Sequence, residues 1–341
     1  MAAYSITEHA SLKELNTFHI DAKAAWFTTL TSVEALSEMV QDGVFRRFRY
    51  MLMGGGSNML FTRDFDGLII KNELHGIYVV EENDHYVWVQ AAAGESWHKL
   101  VLFCVGHGYS GIENLSLIPG TTGAAPIQNI GAYGVEFKDV FHSLEAVNLF
   151  TGKNEIFDKE ACAFGYRDSI FKNEHKGKYC ITSITLQLKK YPELNVTYGA
   201  IRDTLDKMGV VSPGIKDISD AVMRIRRSKL PDPHEIGNAG SFFKNPEISA
   251  EAFAVLKSQF PEIPGYPTDH KRIKVPAGWL IEQCGWKGKR VGNTGSHKDQ
   301  ALVLVNYGNA TGNEIYALAL EIQSSVLKKF GINIHPEVNI I

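Results

Sequence analysis

The chain has 341 residues, which at roughly 100–200 residues per domain predicts two or three domains and a core large enough to fold without disulfide or metal staples. Hydrophobic residues make up 44%, charged residues 21%, and the formal net charge is −3. These values exclude disordered, collagenous and coiled-coil chains and argue against a general nucleic-acid binder or a polybasic membrane binder.

From the N-terminus, Met1–Glu8 lacks the basic and apolar regions of a leader, and no later run approaches the ~20 apolar residues of a membrane span. Thr31-Ser32-Val33-Glu34 reads as a capping box through Thr31 and Glu34, opening a helix with Val33, Leu36 and Val40 inward that stops at Gly43. Strands are predicted at Phe48–Met53, Gly67–Lys71, Ile77–Val80 and His85–Ala91. In the last of these, Val87, Val89 and Ala91 alternate with Tyr86, Trp88 and Gln90. A helix runs from near Ser96 to Gly106, followed by the irregular stretch Ile118–Gly134. Strands follow at Leu144–Phe150, Glu155–Phe157 and Tyr179–Leu188, then a turn-rich segment, Tyr191–Gly214, with a soft boundary. Helices are predicted at Asp217–Ser228, Ser249–Phe260 and Pro276–Cys284, with a buried strand at Ala301–Asn306. Thr311 and Glu314 cap a further helix that ends at Gly331, and Ile332–Ile340 reads as the last strand. The four cysteines, Cys104, Cys162, Cys180 and Cys284, form no CxxC or zinc pattern. They read as buried thiols in a reducing compartment, which predicts a cytoplasmic protein without a metal site.

Several motifs carry chemistry. Gly54-Gly55-Gly56-Ser57-Asn58 follows a strand, and its glycines can curl backbone N–H groups around an anion; it is neither a GxGxxG turn nor a P-loop, and a plain tight turn is the alternative. Ile118–Gly134 holds four glycines and two prolines with almost no charge, so it is either a packed loop or a wall that a flat ligand can approach. Arg167 stands among aromatics, as a stacked surface residue or a carboxylate clamp. Ser241 sits at a glycine turn, Glu337 lies in an apolar strand, and Arg224, Arg226, Arg227 and Lys229 form a cationic cluster. Arg226 and Lys229, three apart, share a helix side that suits a diphosphate. No HExxH and no Ser/His/Asp order occurs.

As an ordered set, these pieces resemble the UDP-N-acetylenolpyruvoylglucosamine reductase family of bacterial peptidoglycan synthesis. The resemblance runs from Asn16-Thr17-Phe18 to Glu337 through Gly54–Asn58, Ile118–Gly134, Phe164–Lys172, Lys229–Pro233, Gly240–Pro246 and Pro336-Glu337-Val338. Thr197-Tyr198-Gly199 is similar to the subclass that carries a tyrosine loop over the substrate. The family implies an α+β fold: an FAD-binding domain of the vanillyl-alcohol-oxidase (PCMH) type over 20–200, in two subdomains split near 72, then a smaller α/β substrate-binding domain over 215–341. It implies noncovalent FAD, since the first glycine loop has no His or Cys to tether it, with NADPH and UDP-N-acetylglucosamine enolpyruvate as substrates and UDP-N-acetylmuramate as product.

The same resemblance implies residue roles. Gly54, Gly55, Gly56, Ser57 and Asn58 would meet the FAD diphosphate. Ile118, Pro119, Gly120, Thr121, Gly123, Ala124, Gln128, Asn129, Gly131, Ala132 and Gly134 would line the flavin. A hydride would pass from flavin N5 to substrate C3, and Ser241 would protonate C2. Arg167, with Glu337 in its protonated form, would stabilise the intervening charge. Tyr166 would pack beside the sugar or carboxylate, and Tyr198, Lys229, Asn245 and Gln300 would hold the UDP portions, with Arg226 added from spacing alone. Gly55 departs from the family, which often has an acidic or other residue there. The expected state is a monomer. The alternatives are a noncovalent FAD oxidase of the same superfamily and a nucleotide-sugar-binding sensor.

Overall fold

The alternation in Tyr86–Ala92 becomes one strand of a sheet: Val87, Val89 and Ala91 are fully buried while Tyr86, Trp88 and Gln90 turn away from the core. The computed structural model describes residues 3–268 and 271–341; Met1 and Ala2, where the leader-free reading begins, lie outside them. The chain divides into two units. The first comprises Met1–Ala10, Ala24–Gly55 and Asp66–Ser228; the second comprises Ser11–Lys23, Gly56–Phe65 and Lys229–Ile341.

The first unit holds two larger sheets. One has the order Thr7–Ser11, Lys23–Leu30, Phe65–Asn72, Tyr50–Met53, and its last two strands run parallel. The other is antiparallel, in the order Asn154–Asp158, Phe141–Asn148, Tyr179–Lys189, Tyr86–Ala92, Ile77–Glu82. Helix Trp97–Gly106 is capped by Ser96, whose hydroxyl accepts from Lys99 N, and it buries Trp97, Leu100, Val101 and Cys104 in the core of the second sheet. Burying side chains of this size stabilises the fold by about 1.5–3 kcal/mol each.

The second unit is built on the sheet Gly237–Ser241, Val303–Asn306, Thr294–Ser296, Arg290–Val291. Helix Gly312–Phe330 carries the predicted Thr311/Glu314 capping box and ends at Gly331 with φ 67°. It buries Ile315, Leu318, Ile322 and Phe330. Asn339–Ile340 pairs in parallel with Met59–Leu60, which draws that early segment into the second unit.

Four elements differ from expectation. The first helix spans Val33–Gln41, and its cap is Ser32, whose hydroxyl accepts from Ala35 N at 3.1 Å; the buried face is Ala35, Leu36 and Met39, with Val33 exposed. Phe141–Asn148 stops short of Phe150 because Asn148 Oδ1 accepts from Phe150 N and Thr151 N, turning the chain. The turn-rich stretch contains helix Gly199–Lys207. Ile201 and Leu205 of that helix pack against Ile218, Ala221, Val222 and Ile225 of helix Ile215–Lys229. That shared core keeps residues as far as Ser228 in the first unit, later than the soft boundary at 200–215. Finally, only Asn339–Ile340 of the Ile332–Ile340 run is strand. Gln323 Nε2 donates to Ile334 O at 2.6 Å, and Pro336, which has no N–H, makes an isolated bridge to Phe243.

Candidate functional site

The strand Tyr50–Met53 delivers Gly54 and Gly55 against the second glycine-rich loop. A Cβ on Gly54 would lie 2.3 Å from Thr121 Oγ1, and one on Gly55 would lie 3.1 Å from Gly120 Cα. The two loops therefore touch, Gly54 against the Thr121 side chain and Gly55 against the Gly120 backbone, and a larger residue at either glycine would push them apart. The second loop is fastened from beneath. Thr122 N donates to Glu95 O at 2.8 Å, Gly123 N to Ala93 O at 2.9 Å, and Thr122 Oγ1 to Ala92 O at 2.5 Å. Ile118–Gly134 is thus packed against the protein, as both of its readings, a packed loop and a wall for a flat ligand, require.

At the far end of this wall, Asn129 is fully buried; its Nδ2 donates to Gly165 O at 2.9 Å and its Oδ1 accepts from Lys138 N at 3.0 Å. Gly165 and Asp168 form a bridge that pinches Tyr166 and Arg167 into a tight turn. Arg167 has φ 53°. Its Nη2 donates to Gly131 O at 2.5 Å and its Nη1 to Asn129 O at 3.3 Å, so the cation is held in a fixed plane against the wall. The guanidinium also lies 5.5 Å from the Tyr166 ring centroid. Leu117, Asn129, Tyr133 and Arg167 all occupy the left-handed region. Each such non-glycine conformation costs about 1–3 kcal/mol and persists only where its surroundings enforce it, as at binding and catalytic sites.

Tyr198 precedes helix Gly199–Lys207, and its ring stands edge-on to Tyr133 with centroids 5.2 Å apart. Burial raises the Tyr133 phenol above its ordinary value while Arg226 draws it back down. Burial also lowers the Arg226 guanidinium, and its Nε donates to Leu117 O at 3.2 Å.

In the second unit, Ser241 closes the strand Gly237–Ser241. Gly240 has φ 69°, and the register shifts between Asn238 and Ser241, a bulge that re-aims the exposed serine. Phe242 and Phe243, both buried, anchor the next two residues. Glu337 N donates to Phe242 O at 2.8 Å, so Ser241 and Glu337 lie on adjoining backbones. Asn58 Nδ2 donates to Glu337 O at 3.4 Å and Asn339 N to Asn58 O at 3.1 Å, which brings the end of the first glycine loop to the same place. Asn245 Oδ1 accepts from Ala277 N at 2.9 Å, and Gln300 Oε1 lies 3.4 Å from where a Cβ on Gly278 would stand. Both predicted amides therefore meet at the start of helix Ala277–Gln283. Lys229 is exposed at the end of its helix.

Among the predicted residues, then, Gly54 and Gly55 meet Thr121 and Gly120 at one end of the second loop, and Asn129, Gly131, Tyr166 and Arg167 meet at the other, both in the first unit; Asn58, Ser241 and Glu337 come together in the second. Sequence patterning does not single out His98, Thr122 or Tyr133, which hold the wall by contacts distant along the chain. Their only signal is polarity within apolar surroundings. A first loop whose three glycines leave its backbone without side-chain cover, beside a second loop of small residues, fits the diphosphate and flat ring system of FAD. Among the described residues no helix is long and apolar enough to cross a membrane.

Residues 24–157 match the FAD binding domain family, and residues 232–341 match the C-terminal domain of UDP-N-acetylenolpyruvoylglucosamine reductase. The chain is 50% identical over 336 residues to the UDP-N-acetylenolpyruvoylglucosamine reductase of Amoebophilus asiaticus, covering 98% of this chain and 99% of that one. It is 49% identical over 337 residues to that of Flavobacterium johnsoniae, with the same coverage. The crystal structure of the UDP-N-acetylenolpyruvylglucosamine reductase of Thermus caldophilus superposes with a TM-score of 0.69 over 99% of both chains at 23% identity, a likeness of fold. The fold is the expected α+β arrangement of an FAD-binding domain of the vanillyl-alcohol-oxidase (PCMH) type followed by the C-terminal domain of these reductases.

Proposed function

Because the chain belongs to the UDP-N-acetylenolpyruvoylglucosamine reductase family, FAD-dependent oxidoreductases of peptidoglycan synthesis, we propose that it reduces UDP-N-acetylglucosamine enolpyruvate to UDP-N-acetylmuramate with NADPH. When bound, FAD would supply a two-electron relay that carries a hydride from NADPH to substrate C3. Addition at C3 leaves charge on C2 and the adjoining carboxylate. Arg167 meets that charge with a cation already oriented by the Asn129 and Gly131 carbonyls, so little reorganisation is needed as the charge develops. Ser241 gives its hydroxyl proton to C2 and is reprotonated from water. Serine is a weak acid, but protonating a carbanion is strongly downhill once the group is in place. Glu337, on the backbone beside it, acts as the neutral acid, its O–H donating to the same charge.

Gly54, Gly55, Gly56, Ser57 and Asn58 hold the FAD diphosphate through backbone N–H groups, and the wall from Ile118 to Gly134 carries the ring. Tyr166, Tyr198, Lys229, Asn245 and Gln300 position the UDP-sugar. The enzyme works as a monomer in the cytoplasm, a setting consistent with four unpaired thiols. The observation that carries the mechanism is the adjoining of Ser241 and Glu337 through the Glu337 N to Phe242 O bond.

The test is spectroscopic. NADPH should bleach the yellow protein anaerobically, and the enolpyruvyl substrate should restore the colour. In Ser241→Ala, bleaching should stay within about twofold of normal while recolouring slows by about 10²–10⁴-fold. In deuterated water the label should enter C2 of the lactyl group. Equal loss of both half-reactions would make Ser241 structural, and label at C3 would exclude direct hydride delivery.

A further inference from the structure

Leu117 stands immediately before the wall, with φ 59°. Both of its backbone polar groups are gripped: His98 Nδ1 accepts its N–H at 2.9 Å, and Arg226 Nε donates to its carbonyl at 3.2 Å. The Arg226 guanidinium also interacts electrostatically with the Tyr133 phenol, at the far end of the same wall. One residue earlier, Ser219 and Ser116 share a hydroxyl hydrogen bond of 2.8 Å. Positions 219 and 226 are two turns apart, so helix Ile215–Lys229 uses one face to hold Ser116 and Leu117 in succession. A guanidinium serving a mobile diphosphate would keep its donors toward solvent. This one is partly buried and commits its Nε donor to the Leu117 carbonyl, with the Tyr133 phenol interacting with the same guanidinium.

We infer that Arg226 is a positioning residue that clips both ends of the Ile118–Gly134 wall, through the Leu117 carbonyl at one end and Tyr133 at the other, and so holds the wall in shape for FAD. It acts on the cofactor through the loop and is not a ligand of the UDP diphosphate, the role its spacing suggests. The inference rests on the reading that the wall lines FAD.

The test uses full-length protein stripped of FAD and reconstituted, comparing wild type with Arg226→Gln, Arg226→Lys, Tyr133→Phe and the Arg226→Gln/Tyr133→Phe double variant. Three quantities are measured: FAD affinity by fluorescence quenching, amide hydrogen exchange across 118–134 with and without FAD, and UDP affinity of the FAD-loaded protein. Arg226→Gln and Arg226→Lys should both weaken FAD about tenfold, because lysine keeps the charge but cannot reach two acceptors from one plane. Exchange across 118–134 should quicken in the FAD-free variants, and UDP affinity should move by less than about twofold. Tyr133→Phe should weaken FAD by a smaller factor, and the double variant should be no weaker than Arg226→Gln. If Arg226→Gln does not fold, Arg226→Lys and Tyr133→Phe carry the comparison. Normal FAD binding in Arg226→Lys with weakened UDP would overturn the clip in favour of a diphosphate ligand. If FAD does not slow exchange across 118–134 in wild type, the wall reading fails, and the clip fails with it.

Discussion

Gly54 has no room for a methyl group, because its Cβ would stand 2.3 Å from Thr121 Oγ1 while the rest of Thr121 stays at 3.5 Å or beyond. The obstacle is one hydroxyl on another loop, and this makes the conflict separable from any intrinsic need for glycine. Gly54→Ala should destabilise the protein by about 1–3 kcal/mol in urea unfolding, the usual range for overpacking. Adding Thr121→Ala should recover most of that loss, since the remaining Cβ would sit at ordinary contact distance. A double variant as unstable as Gly54→Ala would show that the strain lies in the backbone instead. Three glycines in a row are plainly a special turn in the sequence, but whether they form a turn or a cradle depends on Gly120 and Thr121. Those residues lie far along the chain, and no local pattern reveals the pairing. Arg167 is similar: its aromatic neighbours are legible, but the carbonyls of Asn129 and Gly131 that orient it are not.

Helix Val33–Gln41 shows what a cap motif can and cannot settle. Thr31 and Glu34 satisfy the capping-box spacing, yet the hydroxyl that accepts a helix N–H belongs to Ser32, bonded to Ala35 N at 3.1 Å. Two candidate caps in succession leave a one-residue ambiguity, and packing resolves it by turning Ala35, Leu36 and Met39 inward. Ser32→Ala should therefore lower stability by about 1 kcal/mol and Thr31→Ala by less than about 0.5 kcal/mol in chemical denaturation. The reverse order would put the cap at Thr31. Where one cap stands alone, as Ser96, Ser249 or Thr311 does, the helix start is legible to within a residue. Helix Gly199–Lys207 was not legible, since it is short, opens with glycine and owes its stability to Ile201 and Leu205 packing on Ile218 and Val222.

The division of the whole chain was legible only in part, because the second unit takes in Ser11–Lys23 and Gly56–Phe65. Thr62 N and Oγ1 both donate to Ile341 O, at 2.8 and 2.6 Å, and such pairings between chain segments this far apart leave no periodic trace in the sequence. Among the described residues, each unit also contains one histidine held below the ordinary imidazole value. Burial lowers His98, with the Arg227 and Arg226 charges adding to the effect. Burial likewise lowers His297, with Asp299 opposing and Lys298 adding. In both, the folded state resists protonation more than the unfolded chain does. As pH falls below the unfolded value near ~6.5, the unfolded state takes up protons first, and stability declines until the folded values are passed. This contribution is complete above ~6.5 and lost in acid. His98 carries a second constraint, since its Nδ1 must stay unprotonated to accept the Leu117 N–H at 2.9 Å. Asn offers an oxygen in place of that nitrogen without a titrating proton. The His98→Asn/His297→Asn variant should therefore show a smaller fall in urea midpoint between about pH 7.5 and 5.5 than wild type. An equal fall in both proteins would assign the acid sensitivity of the fold to other groups.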